Sequence, residues 1–162
     1  MDLVTLLGFL FNGNVLAAFG VALAIGLAGN GASKGLGISG STAAALTAEQ
    51  EKNFPIILML EFAPQTQVLY AFAVSILIIF YGMMGGNLTV EKGFICLAAG
   101  LLVGLTGLTA ITQGIAASAA VAAYGRNNKI PFKVMVYVVM CEISAIIGCI
   151  SGILLLKAGN IF

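Results

Sequence analysis

Apolar residues run almost unbroken along this chain, and the polar ones collect at three intervals that divide it into four long helical segments. Residues 3–33 contain no charge, and as a helix at 1.5 Å per residue they reach ~46 Å, more than the ~30 Å hydrocarbon core of a bilayer requires. The pattern predicts one long first helix, interrupted near its start by Asn12, Gly13 and Asn14 and continuing past Lys34 to about Leu46. A polar connection follows at 47–55. The second span, about 55–81, is the most polar, with Glu61, Gln65, Thr66 and Gln67 around Pro64. A Gly-rich turn at 82–93 leads to an uncharged third run at 93–125, and a turn at 124–131 leads to the fourth span at 134–156.

Sliding the halves by 79 residues lays Ser33, Lys34 and Gly35 on Thr112, Gln113 and Gly114. The chain is expected to be a duplicated helical hairpin, 1–82 and 83–162, with matching length and hydropathy carrying the argument more than identity. Spans one and three hold small residues at intervals of four: Gly20, Ala24, Ala28 and Ala32 in one, Gly100, Gly104, Ala110, Gly114, Ser118 and Ala122 in the other. Such ladders let helix backbones approach closely in lipid. Spans two and four are bulkier and are expected on the outside.

Composition supports a membrane protein and removes other classes. Of 162 residues 60% are hydrophobic and 8% charged, with mean hydropathy +1.11, far from the roughly 25% charged of soluble domains. A net charge of +1 with scattered Lys and Arg argues against a nucleic-acid partner. Cys96, Cys141 and Cys149 lie in apolar runs of a chain without His, so they are expected to pack rather than bind zinc or form a disulfide framework. The N-terminus has no basic stretch ahead of its apolar run, so the first span is expected to be retained. Lys52, Arg126, Lys129 and Lys133 against Lys92 and Lys157 predict both hairpin turns in the cytoplasm and both termini outside.

Glu142 is the one charged residue of the fourth span. An uncompensated charge at the centre of a spanning helix costs at least ~2.5 to 3.5 kcal/mol, so it marks a functional site. Gln113 and Glu142 are equally far from the Asn127-Asn128 turn and so share a depth. Ala63, Thr66, Gln67 and Tyr70 fall at i, i+3, i+4 and i+7, one helical stripe that offers a hydroxyl, an amide and a phenol. Pro64 is expected to leave a carbonyl near Leu60 unpaired. Oxygens converging on a carboxylate suit a hard cation or a shared proton. Glu61 is a second carboxylate, roughly 190° from the stripe at ~100° per residue. It is expected to lie off the site, and Lys34 stands where the first hairpin's counterpart of Gln113 would need an oxygen.

The Ala63-Pro64-Gln65-Thr66-Gln67-Val68-Leu69-Tyr70 segment, the Gln113-Gly114 pair and the stretch from Glu142 through Gly148 resemble, in this order, the rotor-ring proteolipid (c/K type) of V-type ATPases. The nearest likeness is to the sodium-translocating bacterial form. The resemblance covers essentially the whole chain. It implies an all-α protein of four transmembrane helices in two hairpins, assembling into a homo-oligomeric ring in the cell membrane. It also implies a stator membrane subunit with half-channels, a central-stalk subunit on the cytoplasmic loops and contact with lipid. Glu142 would carry Na+, with oxygens from Gln113, Thr66, Gln67 and the Ala63 main-chain carbonyl, and Tyr70 would hydrogen-bond the carboxylate. The chain itself would hydrolyse nothing and hold no cofactor. H+ as the carried ion, and a small secondary transporter or channel lined by Glu142, are the alternatives.

Overall fold

The computed structural model describes residues 2, 8, 11–49, 54–86 and 88–162. Among them there is no strand. The first span is one helix, α1 (Gly13–Glu49), of 37 residues. It starts at the polar triplet, where the Asn12 side chain accepts the Asn14 N–H at 2.9 Å. The part of the predicted first helix at 3–7, 9 and 10 lies outside the described residues, as do residues 50–53 with Lys52.

The second span, Phe54–Met83, joins α2 (Phe54–Glu61), a 3-10 turn (Ala63–Gln65), α3 (Thr66–Leu77) and a wide π turn (Ile78–Met83). The third, Val90–Arg126, is α4 (Val90–Gly107) and α5 (Ala110–Arg126), and Thr89 caps its start by accepting the Lys92 N–H. The fourth is α6 (Pro131–Met140) and α7 (Ile143–Ala158), bent by 43° at the break. The expectation that spans three and four are continuous helices is corrected here. Nothing in Leu108-Thr109 or Cys141-Glu142 is a helix breaker by type, so the breaks come from the packing around them.

Small residues decide how the spans assemble. Gly13 sits against Gly93 and Gly20 against Gly100, so closely that a Cβ on Gly100 would fall on the Gly20 carbonyl. Farther along, Gly35 meets Gly114. The spans therefore run parallel with like positions facing, and the register shortens by one residue across the Leu108-Thr109 irregularity. Gly100 and Gly104 seat spans one and three of the same chain: a Cβ on Gly104 would meet the Leu23 carbonyl at 2.6 Å. Bulky side chains of spans two and four, among them Phe72, Phe80, Tyr137, Ile147 and Leu154, are exposed. This is the outward face expected of them in lipid.

Two apolar clusters result. One gathers Ala24, Ala28, Val74, Val103 and Leu156, and the other Ile57, Leu60, Val121, Tyr124 and Val138. Between them, at the level of residues 67, 113 and 138, lies a polar layer. Cys96 is buried in the first cluster, and all three cysteines are free thiols.

Candidate functional site: a polar layer at three helix breaks

At one depth, three of the four spans abandon α geometry. Gln65 donates its N–H to Phe62 in span two, Leu108 and Thr109 donate to Leu105 and Thr106 in span three, and Cys141 and Glu142 donate to Val138 and Val139 in span four. Each is a bond to the third preceding residue, which tightens the turn and changes which carbonyls are shared. Irregular backbone at membrane depth is tolerated where it is enclosed by protein or lines a site.

In span four the consequence is specific. In an α-helix the Val138 carbonyl would receive the Glu142 N–H, but that N–H goes to Val139 at 2.9 Å. The Val138 oxygen instead accepts from Cys141 at 3.2 Å and from the Gln113 side-chain amide at 3.3 Å. Glu142 itself occupies the break, half-buried, and its carboxylate accepts the Tyr70 hydroxyl at 2.5 Å. Among the described residues no other side chain bonds it. Gln113 shares the depth expected of it but reaches the carbonyl one turn before Glu142 rather than the carboxylate.

The stripe on span two is assembled as its spacing requires. Gln67, fully buried, donates to Gln113 Oε1 at 2.8 Å, and Gln113 is as deeply buried. The Thr66 hydroxyl turns back on the Ala63 carbonyl at 2.9 Å, which also receives the Thr66 N–H, so these two oxygens lie side by side. Two residues without a role in the sequence pattern complete the layer. Thr109 donates to Gln67 Oε1 at 2.9 Å, and Ser144 donates to Thr109 at 3.2 Å. Thr109 stands four residues before Gln113 and Ser144 two after Glu142, spacings that signal a shared level once the site is known.

Pro64 has no N–H for the Leu60 carbonyl, and because Gln65 bonds Phe62 the neighbouring Glu61 carbonyl is released as well and accepts the Ser39 hydroxyl of α1 at 3.1 Å. That oxygen faces α1. The Glu61 side chain lies off the polar layer, beside Gly40 in a groove of ≈ 730 Å³ with Ala43, Thr47 and Ile57. Lys34 is exposed, and no ion pair joins it to Glu61 among the described residues.

The layer is thus a carboxylate held by a phenol at a helix break, with two buried amides, three hydroxyls and two main-chain carbonyls at its level. Oxygen-rich and without His or clustered acids, it has the chemistry of a site for a hard monovalent cation or a proton. Fold and layer together define a small-residue-packed, four-span helical membrane protein with one intramembrane carboxylate at its polar level. The chain belongs to the ATP synthase C-subunit family, whose model matches it twice, at residues 19–78 and 97–155. It is a proteolipid of the c/K type. It is similar to the A-type ATP synthase subunit K of Methanocaldococcus jannaschii, 43% identical over 142 residues. It is also similar to the V-type sodium ATPase subunit K of Enterococcus hirae, 35% identical over 144 residues. Each match takes in 88% of this chain. It covers 62% of the archaeal relative's length and 91% of the enterococcal one's.

Proposed function

We propose that this protein is the rotor-ring subunit of an ATP-driven rotary ion pump in the cell membrane and carries Na+ on Glu142. The observation that carries the reading is the Tyr70–Glu142 bond of 2.5 Å at the break of span four. It holds one ionisable group at the layer where Gln67, Gln113, Thr66 and the Ala63 carbonyl bring their oxygens. The family supports a ring of such chains turning past a stator subunit with half-channels, with a central-stalk subunit on the cytoplasmic turns. The enterococcal sodium relative favours Na+ over H+.

The physical sequence is short. Na+ entering from one half-channel is neutralised by the Glu142 carboxylate and shielded by neutral oxygens, which lets the site pass lipid without a bare charge. A cation on the stator then displaces it into the other half-channel. ATP hydrolysis belongs to other subunits. The basic residues support cytoplasmic hairpin turns: Arg126 and Lys129 flank the turn between spans three and four, whereas Lys92 reaches the Asn160 carbonyl at the opposite end.

Replacing Glu142 with Gln in the assembled pump keeps volume and hydrogen bonding but removes the charge that neutralises a cation. Na+ uptake into vesicles driven by ATP is expected to fall to background while the ring still assembles. Retained uptake would overturn the reading.

A further inference from the structure

The side chains of the polar layer form a chain of hydrogen bonds with one direction, and its direction is set at one end. The Val138 carbonyl is an acceptor only, so the Gln113 group facing it is the NH2, and Gln113 Oε1 faces Gln67. Gln67 must therefore present its own NH2 to Gln113, which leaves Gln67 Oε1 facing Thr109. Thr109 is then the donor to Gln67, and Ser144 is the donor to Thr109. Flipping either amide alone would set oxygen against oxygen or NH2 against NH2 between Gln113 and Gln67, and flipping both would set Gln113 Oε1 against the Val138 carbonyl.

Thr109 has one hydroxyl proton and two acceptors for it: Gln67 Oε1 at 2.9 Å and the Thr106 carbonyl of its own helix at 2.6 Å. Every buried side-chain polar atom among the described residues has a partner in this arrangement. If Gln67 Oε1 turns to a cation, the Thr109 proton has the Thr106 carbonyl to hold it, so the hydroxyl loses nothing. Gln67 Oε1, fully buried, has no such second partner if Thr109 is taken away.

We propose that Thr109 is a two-position hydroxyl latch: it pairs the Gln67 amide oxygen in the self-paired layer, swings to the Thr106 carbonyl when a cation takes that oxygen, and so weakens Na+ binding. The inference rests on the proposed function, in which Gln67 supplies an oxygen to Na+. Its sign separates it from a ligand or a packing residue. Removing a ligand or loosening the site weakens cation binding. Removing the latch leaves a buried acceptor unpaired only in the self-paired layer, and a lost partner of this kind is costly. The Na+-bound arrangement gains by comparison.

The test uses the assembled ring and measures the Na+ concentration that half-protects Glu142 from a hydrophobic carbodiimide, which modifies a protonated carboxyl. Thr109→Val is expected to lower that concentration about tenfold, the factor equivalent to ~1.4 kcal/mol. Thr109→Ala, which has no hydroxyl and less bulk, is expected to lower it too. Thr109→Ser keeps the hydroxyl and is expected to match the wild type. The pH profile of labelling in Na+-free buffer is expected to stay in place for all three. A Na+ requirement unchanged or raised in the hydroxyl-less variants overturns the latch, as does a serine variant that behaves like them. A wild-type ring with no Na+ protection instead removes Na+ carriage, and the latch with it.

Discussion

The hydroxyl of Tyr70 and the carboxylate of Glu142 stand 2.5 Å apart, though 72 positions separate them in the chain. The contact ties the middle of span two to the break in span four. A bond from a neutral donor to a charged acceptor contributes more than an ordinary hydrogen bond, ~1.5 to 3 kcal/mol. Tyr70→Phe keeps the ring and removes only this bond. The carboxylate is then free to leave the level of Gln67 and Gln113, and about tenfold more Na+ is expected to be needed for half-protection of Glu142, the low end of that range. Titration of carbodiimide labelling on the purified ring measures it, and an unchanged midpoint would show that Tyr70 packs without positioning.

The neutral oxygens give a second expectation. Thr66→Ala and Gln113→Ala each remove an oxygen from the layer but leave the carboxyl able to take a proton. Each is expected to raise the Na+ requirement several-fold, on the order of 1 kcal/mol or more, with labelling in Na+-free buffer little altered. Loss of labelling itself would mean that the substitution had disturbed Glu142 directly.

Close packing gives a third. A methyl on Gly100 would fall on the Gly20 carbonyl, whereas one on Gly26 meets nothing within 4 Å beyond the backbone of its own helix. Gly100→Ala is expected to destabilise the chain by about 1 to 3 kcal/mol, the usual cost of overpacking, and Gly26→Ala to leave its packing intact. Thermal dissociation of the detergent-solubilised ring compares the two, and equal stability would contradict the helix contact.

Much of this arrangement is readable in the letters. Uncharged runs longer than a bilayer, glycine ladders on spans one and three and the i, i+3, i+4, i+7 stripe of span two are all patterns at helical period, and the structure keeps them. The breaks at Leu108-Thr109 and Cys141-Glu142 are not readable, because no proline or glycine pair marks them and a periodicity argument assumes unbroken α geometry. Thr109 and Ser144 escape notice for the same reason: they join the layer across breaks that a regular helix would not have. Pro64 does announce its kink, but that the Glu61 carbonyl is freed as well depends on Gln65 turning to Phe62, and its partner on Ser39 lying opposite, a tertiary detail.

Glu61 tests whether each chain holds one site or two. It faces the groove beside Gly40, away from Gln67 and Gln113. Glu61→Gln is expected to leave the Na+ requirement of Glu142 within about twofold, since charges beyond contact are weakly coupled even at the modest dielectric of a protein. Counting Na+ bound per chain in the two proteins settles the number: one in each is expected. A loss of ion binding as complete as that of Glu142→Gln would establish a second site in the first hairpin.

The central claim is that the carboxylate of Glu142 and the oxygens at its level hold Na+, and the most direct measurement is Na+ protection of Glu142 in the wild-type ring. At neutral pH, Na+ is expected to slow modification of Glu142 by carbodiimide. The concentration required is expected to rise as pH falls, because proton and cation compete for one carboxylate. Modification at an undiminished rate at every pH and Na+ concentration would contradict the claim, and would leave Gln113 and Tyr70 as orienting partners of a carboxyl that carries H+.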